Sequence, residues 1–320
     1  MLRFLFLILV AVPLYAEPRW LKGNTHTHTN LSDGDAPPGE VVRWYRDNGY
    51  DFLVITDHNL LTDVQDDKLL LIPGEELSDT FGKPAQPNDV RGLKVVHLNG
   101  IGISRLVKPQ HGDSIVSTIQ HDVDAIHEAG GIAAINHPNF MWSFTAAEMK
   151  QVNGFTLLEI ANGHPATNML GGGDAPSAEV MWDQLLSAGK KVFGVAVDDS
   201  HNFHGDTNTP VRYTVIDGRL VYNVKPVYYA PPGRGWIFVR AENLTAKNIL
   251  DAIARGDFYA STGVVLESIE FDGRNLRVKI HEDGDSRYRT SFVRTKTYVR
   301  ARVDDSNGRS AWTQPFFFAK

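Results

Sequence analysis

Side chains of the kind that bind metal ions are concentrated near the start of this chain. His26 and His28 are followed by Asp33 and then by Asp57 and His58. Histidines at positions i and i+2 of a strand point to the same face, and a carboxylate five residues later can fold back toward them. Imidazole and carboxylate groups arranged in this way bind first-row metal ions. Because the chain has 12 histidines, the pair alone is a weak indication that the rest of the sequence has to support.

The elements that must position these side chains alternate between strands and helices over residues 20–197. A first strand ends at the histidine pair. Further apolar runs predict strands at 51–55, 69–72, 93–98, 131–135, 155–160 and 191–197, and amphipathic segments predict helices at 38–48, 114–128 and 178–188. Strands and helices in alternation predict a parallel sheet or an α/β barrel.

Residues that could bind metal lie at or just past the C-terminal ends of these predicted strands. They are His26, His28, His58, Glu76, His97, His137, Glu159, Asp199 and His201. In α/β barrels the catalytic residues come from that end of the strands. Any one of them could be an ordinary surface histidine or a helix cap, but their concentration at one end favours a shared site.

Composition and charge narrow the function further. The 320 residues, 42% of them hydrophobic, can form one large α/β domain or a catalytic domain with a smaller partner. The net charge of -6 argues against a nucleic-acid surface that neutralises phosphates. Because the chain has no cysteine, a metal site has to use histidine, aspartate and glutamate.

Residues 1–16 have the features of a secretory signal peptide. Arg3 precedes an apolar run at 4–15, and Ala16 stands before Glu17 as a small-residue cleavage site. The run is shorter than the roughly 20 residues of a membrane-spanning helix. We therefore expect a periplasmic or secreted protein without membrane association after cleavage; an uncleaved N-terminal anchor is the alternative.

The second part of the chain has a different character. Residues 203–235 are rich in proline and tyrosine, which predicts a connection that either overhangs the site or runs over the surface as a linker. A strand at 236–240 and a helix at 244–254 follow. Alternating segments at 276–280, 298–303 and 311–318, with Asp-Gly and Asn-Gly turns between them, predict a small antiparallel β unit of α+β or sandwich-like form over 236–320.

The ordered motifs resemble the PHP (polymerase and histidinol phosphatase) domain of metal-dependent hydrolases. The matching segments are 25–28 with 32–34, 55–59, 73–76, 96–97, 136–138 and 199–201. The resemblance implies that 17–202 form a distorted (β/α)7 barrel with two or three divalent ions, Zn, Fe or Mn, at its C-terminal mouth. Segments 246–263 and 311–315 are similar to the carbaryl-hydrolase-like branch of that family.

The same resemblance assigns nine side chains to three metal sites. The first takes His26, His28 and Asp199, the second takes His97 and His137 and shares Glu76 with the first, and the third takes Asp33, His58 and His201. Asp57 and Asp198 are expected to orient ligand imidazoles rather than to bind metal.

Hydrolysis by metal-bound hydroxide is the chemistry that such a di- or trinuclear centre supports. Asp199 is either a proton acceptor or only a ligand, and His164 and His204 are either leaving-group acids or ordinary loop histidines. Phosphomonoester or phosphodiester cleavage of a small molecule is the expected activity, with Arg234 as a candidate cation. Carbamate, carboxylic ester or amide hydrolysis is the alternative, which aromatic residues near Phe140 favour. A non-catalytic exported metal-binding or surface-interaction protein is the second alternative.

Overall fold

The computed structural model of the chain describes residues 18–83, 92–204, 213–216, 219–222 and 229–318. These ranges form a mixed α/β structure of five α-helices and 18 strands. The predicted signal peptide and parts of the predicted 203–235 connection lie outside the described residues. Among the described helices, none has both the length and the apolar character needed to cross a membrane.

The helices confirm the sequence pattern closely. They are α1 (Pro38–Asp47), α2 (Ile115–Glu128), α3 (Ala146–Met149), α4 (Ala178–Ser187) and α5 (Ala246–Arg255). Helix α1 begins with a proline, whose fixed φ suits the first helical position. Ser114 caps α2 by accepting a hydrogen bond from the backbone N–H of Ser117. Only α3, a single turn, was not predicted.

Eight strands in the first half of the chain lead to the site. They are β1 (Arg19–Asn24), β2 (Phe52–Leu53), β3 (Leu70–Leu71), β4 (Gly74–Phe81), β5 (Lys94–Ile101), β6 (Ile132–Ile135), β7 (Leu157–Asn162) and β8 (Phe193–Val197). Strand β4 was missed because its sequence is polar on both faces. One face carries Glu76 and Ser78 toward the site, and the other buries Glu75 and Asp79.

Ten further strands follow. They are β9 (Tyr213–Ile216), β10 (Arg219–Tyr222), β11 (Trp236–Ala241), β12 (Phe258–Ser261), β13 (Leu266–Phe271), β14 (Leu276–Ile280), β15 (Tyr288–Arg294), β16 (Tyr298–Asp305), β17 (Ser310–Thr313) and β18 (Phe316–Phe317). Strands β9 and β10 pair with each other, as do β13 and β14. All pairs among these ten strands are antiparallel, in agreement with the predicted antiparallel unit.

Two larger sheets contain the remaining strands. One has the order β15-β16-β17-β12-β11-β1-β2-β3, with β18 beside β16, and the other has the order β4-β5-β6-β7-β8. Strand β11 pairs antiparallel with β1, so the C-terminal unit continues the sheet that the N-terminal strand begins. The domain boundaries proposed from the sequence stay predictions.

Isolated parallel bridges at Thr27–Ser200 and His58–Glu76 join the two sheets. The predicted (β/α)7 barrel is not confirmed, because in the described residues the strands form separate ladders rather than one closed ladder. Strand β5 also pairs antiparallel with both β4 and β6, whereas the expected arrangement was parallel. The bridges nevertheless bring the ends of β1, β2, β4 and β8 together.

Apolar clusters fix this arrangement from both sides. Leu98 and Leu158 of the five-stranded sheet pack on Ile119 and Val123 of α2 and on Leu185 of α4. A second cluster joins β1, β8 and β11 to helix α5. Each fully buried side chain of this size contributes about 1.5–3 kcal/mol to the folded state. The packing therefore stabilises the strands whose ends carry the polar residues.

Candidate metal centre

All nine residues assigned to metal sites converge where the two bridges join the sheets. His26, His28 and Asp33 follow β1, His58 follows β2, Glu76 lies in β4, His97 lies in β5, His137 follows β6, and Asp199 and His201 follow β8. Seven of the nine are buried, and Asp33 and His58 are partly exposed. Because the strand ends meet, residues that are up to 175 positions apart in the chain become neighbours.

Four donor atoms form the most compact group. The Nε2 atoms of His26 and His28 lie 3.1 Å apart. Glu76 Oε2 lies 3.3 Å from each of them, and Asp199 Oδ1 lies 3.3 Å from the first and 3.2 Å from the second. Ligands of a tetrahedral ion with bonds of about 2.0–2.1 Å stand about 3.3–3.4 Å apart. The group therefore has the dimensions of a first-row metal site.

Glu76 connects this group to two further histidines. Its Oε1 lies 2.9 Å from His97 Nδ1 and 3.2 Å from His137 Nε2. His97 Nδ1 is buried, and its short contact with Glu76 Oε1 leaves the two residues close enough to share an ion. The two oxygens of Glu76 thus face different donor groups, which is the geometry that a bridging carboxylate requires.

A third group surrounds Asp33. Asp33 Oδ1 lies 3.2 Å from His201 Nε2 and 3.6 Å from His28 Nδ1, and Asp33 Oδ2 lies 3.5 Å from His58 Nε2. These donor atoms all fall within 4.8 Å of one another, close enough to share one ion. The His28 and His201 rings also stack, with centroids 4.3 Å apart.

Opposite charges balance one another inside the cluster. Burial disfavours the charged form of Glu76, but the imidazoles of His97 and His58 hold the pKa of its carboxyl well below the usual value. Burial also opposes ionisation of Asp199, whose pKa the neighbouring His26 holds well below the usual value. In turn, burial opposes protonation of His26, while Asp199 and Glu76 raise its pKa well above the usual value. Divalent cations would supply the same balance to carboxylates in this position.

The donor set fits divalent ions of borderline character. It contains imidazole nitrogens and carboxylate oxygens and no sulfur, which suits Zn, Fe or Mn. The identity and the number of the ions stay predictions, as do the individual ligand assignments.

The roles predicted for Asp57 and Asp198 are wrong, because neither carboxylate bonds to an imidazole among the described contacts. Asp57 accepts hydrogen bonds from the backbone N–H of Thr29 at 2.7 Å and from the hydroxyls of Ser32, at 2.6 Å, and Thr62. Asp198 accepts from the Tyr45 hydroxyl at 2.8 Å and from two backbone N–H groups. Both residues stabilise the loops that carry the cluster.

Glu159 and Asn162 make contacts that the sequence reasoning missed. Glu159 had been noted only as a polar residue at a strand end, and Asn162 had no assigned role. The Glu159 carboxylate lies 2.6 Å from His26 Nδ1, and the Asn162 amide donates to Asp199 at 3.0 Å. The position of Glu159 after an apolar run was the one available signal.

The two histidines considered as acids lie in different places. The His164 ring stands 5.1 Å from the His201 ring, beside the cluster. Its Nδ1 accepts a hydrogen bond from the backbone N–H of Ala166, and burial lowers its pKa to about 3. His204 is exposed and lies 2.8 Å from Glu40 on helix α1. The structure therefore brings His164, and not His204, to the predicted ligands.

An aromatic segment borders the second donor group. The ring centroid of Phe140 lies 5.4 Å from that of His137 and 6.1 Å from that of His97. The next two residues, Met141 and Trp142, both have positive φ values, of 51° and 54°. Such backbone strain is tolerated only where the surroundings hold it.

Comparisons with known proteins give distant likenesses. No family model matches the chain. An uncharacterized protein of Methanocaldococcus jannaschii is 28% identical over 160 residues, which are 45% of this chain and 70% of that protein. The likeness leaves the family and activity to be argued from the site itself.

The solved structures to which this chain has some similarity include proteins described as metal-dependent phosphoesterases. A two-domain Bacteroides vulgatus protein, described as containing a predicted PHP-like metal-dependent phosphoesterase, is 15% identical with a TM-score of 0.48 and covers 95% of this chain and 88% of its own. A putative metal-dependent phosphoesterase from Bifidobacterium adolescentis is 14% identical with a TM-score of 0.37, over 58% of this chain and 89% of its own. A lesion-specific endonuclease from Pyrococcus furiosus is 10% identical with a TM-score of 0.41, over 74% and 56% of the two chains. These are the kinds of protein that this chain is similar to.

Proposed function

We propose that this protein is an exported, metal-dependent phosphoesterase that acts on a small molecule. The observation that carries the proposal is the spacing of the four donor atoms from His26, His28, Glu76 and Asp199, which lie 3.1–3.3 Å apart in five of their six pairs. Divalent ions bound there would lower the pKa of a water molecule toward neutrality and stabilise negative charge on the substrate. We further propose a barrel of PHP type and the carbaryl-hydrolase-like branch of that family.

The proposed ligands follow the assignment that the resemblance to PHP domains implies. They are His26, His28 and Asp199 with Glu76 for the first ion, Glu76, His97 and His137 for the second, and Asp33, His58 and His201 for the third. Both carboxylate oxygens of Glu76 contact proposed ligands, so Glu76 is the proposed bridge between the first two ions. The predicted signal peptide supports export of the protein before it acts.

His164 and Asp199 are the side chains considered as proton donor and proton acceptor of the reaction. Because His164 Nδ1 accepts the Ala166 N–H, the proton of the neutral ring is on Nε2. The role of His164 as a proton donor to the leaving group stays a prediction. Asp199 Oδ2, which already accepts from Asn162, is the proposed proton acceptor of the nucleophilic water.

Arg234 is the candidate cation for a phosphoester substrate. The side chain of Arg234 packs so close to Gly163, the neighbour of His164, that a methyl group on Gly163 would lie 2.5 Å from Arg234 Cβ. Its backbone N–H is held by Asp198. A guanidinium can bind the oxygens of a phosphoryl group, and we propose this role for Arg234.

Hydrolysis of a carbamate or a carboxylic ester is the second candidate. The Phe140 ring contacts two proposed ligands, and the Trp142 side chain next to it is 44% exposed. An apolar wall of this kind suits an uncharged aromatic ester better than a phosphate dianion.

A substrate panel tests the proposal. Protein loaded with zinc or manganese is assayed against nitrophenyl phosphate, bis(nitrophenyl) phosphate, nitrophenyl acetate and a nitrophenyl carbamate. We expect cleavage of a phosphate substrate that the double variant His97→Ala, His137→Ala loses and that His281→Ala, an exposed histidine outside the cluster, retains. Cleavage of the acetate or carbamate alone would favour the second candidate, and phosphate cleavage unchanged in the double variant would refute the assigned site.

A further inference from the structure

We infer that Glu159, together with Asn162, is the positioning unit of the metal centre. This inference rests on the proposed metal centre and adds to it residues that the ligand assignment leaves out. Glu159 is 1% exposed and lies in β7, behind the ring of His26. It makes three contacts, each of which leads to a different proposed ligand.

The first contact determines the tautomer of His26. Glu159 Oε1 lies 2.6 Å from Nδ1 of that ring, while the ring's Nε2 faces Glu76 and Asp199 at 3.3 Å. A carboxylate that accepts the Nδ1–H leaves the Nε2 lone pair to bind metal, fixes the plane of the ring and increases the basicity of its free nitrogen. His26 is thereby oriented from the side opposite to the ion.

The second and third contacts reach two more ligands. Glu159 Oε2 accepts hydrogen bonds from the backbone N–H of His137 and from the Asn162 amide, both at 2.9 Å. The same amide donates to Asp199 Oδ2 at 3.0 Å. Asp199 has a φ of 48°, a conformation that costs a non-glycine residue energy and has to be held by its surroundings.

A register shift in the sheet makes this arrangement possible. Side chains three positions apart in a regular strand point to opposite faces. Between β7 and β8, however, Glu159 pairs with Val195 and Ala161 pairs with Ala196, so one extra residue is inserted in β7. The insertion turns Asn162 to the same side as Glu159, in the way that bulges redirect side chains at functional sites.

The contacts also indicate that Glu159 is not itself a metal ligand. Both of its oxygens are used in hydrogen bonds. Among the described residues, none of the groups close enough to share an ion includes Glu159. Its carboxylate thus acts on the metal through His26, His137 and Asp199.

Measuring metal affinity tests the positioning role of Glu159 and Asn162 independently of catalysis. Wild-type protein, Glu159→Gln, Asn162→Ala and a control, Glu75→Gln, are titrated with Zn²⁺ in competition with a chromogenic chelator. Glu75 is buried in β4 on the face opposite to Glu76 and accepts from the backbone of Val107, so the control changes an equally buried glutamate. We expect an affinity loss of about 10- to 100-fold for Glu159→Gln and a smaller loss for Asn162→Ala. The control is expected to stay within about twofold of wild type.

A spectroscopic measurement separates positioning from general loss of structure. In ¹⁵N-labelled, zinc-loaded wild type, long-range ¹H–¹⁵N correlations should show His26 as the Nδ1–H tautomer. In Glu159→Gln that signature should weaken while the other histidines keep theirs. An unchanged affinity and an unchanged His26 signal in a folded Glu159→Gln variant would overturn the inference while leaving the metal centre intact. If wild type itself bound no Zn²⁺, the proposed metal centre would fail instead.

Discussion

Replacing Asp122 with asparagine should make the protein more stable at neutral and alkaline pH. Asp122 is fully buried on helix α2. Its Oδ1 accepts the backbone N–H of Gln110 at 2.9 Å, but its Oδ2 accepts no hydrogen bond from the part of the chain that the structure describes. The nearby Asp79 carboxylate is held by the ring and the backbone N–H of His111. Burial, and then the charge of Asp79, raise the pKa of Asp122 to about 8.

The direction of the pH effect follows from proton binding. In the unfolded chain an aspartate loses its proton near pH 3.9, whereas folded Asp122 keeps it until about pH 8. Between these values the folded state binds more protons, so the free energy of unfolding falls as pH rises and levels off above about pH 8. One pH unit corresponds to about 1.4 kcal/mol per proton. From pH 5.5 to 7.5 the contribution of Asp122 therefore falls by at most about 3 kcal/mol.

Urea unfolding of the chelated, metal-free protein at pH 5.5, 6.5, 7.5 and 8.5 measures this effect. An asparagine at position 122 can accept the Gln110 N–H and donate to Asp79 without titrating. We expect the stability of Asp122→Asn relative to wild type to grow by about 2 kcal/mol between pH 5.5 and 7.5. The matched control, Asp124→Asn on the exposed face of the same helix, should show little change with pH. A stability difference that stays constant with pH, or that grows in favour of wild type, would refute the reasoning.

Two further predictions test other parts of the structure. Arg300 is buried and makes two hydrogen bonds, of 2.6 and 2.7 Å, to Asp183 on α4, so Arg300→Ala should cost about 3–5 kcal/mol of unfolding free energy because a charge loses its partner. Arg300→Ala with Asp183→Ala should cost less than the two single costs together, and an additive result in urea unfolding would contradict the pairing. His204→Ala should leave the rate of substrate hydrolysis within about twofold of wild type, since His204 pairs with Glu40 away from the cluster. A loss of more than about tenfold in kcat would show that His204 acts in catalysis.

The positions of most candidate ligands could be predicted because they stand in or shortly after strands whose apolar pattern is clear. His26, His97 and His137 stand at or near the ends of apolar runs, and the fold brings such ends together. Strand β4 escaped prediction because Glu75 and Glu76 make opposite faces of it polar. Local hydrophobic periodicity does not report a strand that is polar on both sides.

Features that depend on pairing between distant segments could not be predicted. Nothing in the sequence near Trp236 shows that its strand pairs with β1, and register is set by tertiary contacts rather than by local pattern. The role of Glu159 depends on a single inserted residue in β7. The partners of Asp57 and Asp198 were misjudged for the same reason. Their carboxylates accept hydrogen bonds from hydroxyl and backbone groups of distant segments and not from an imidazole.

Anomalous X-ray diffraction from crystals of the metal-loaded protein, collected at the absorption edge of the bound metal, tests the central claim most directly. The expected result is at least two anomalous peaks inside the cluster, one next to His26 and His28 and one next to His97 and His137, each about 2.0–2.3 Å from its donor atoms. Crystals of the His97→Ala, His137→Ala variant should lose the second peak. A metal-loaded crystal without any peak among these residues, or with peaks only elsewhere on the protein, would contradict the account.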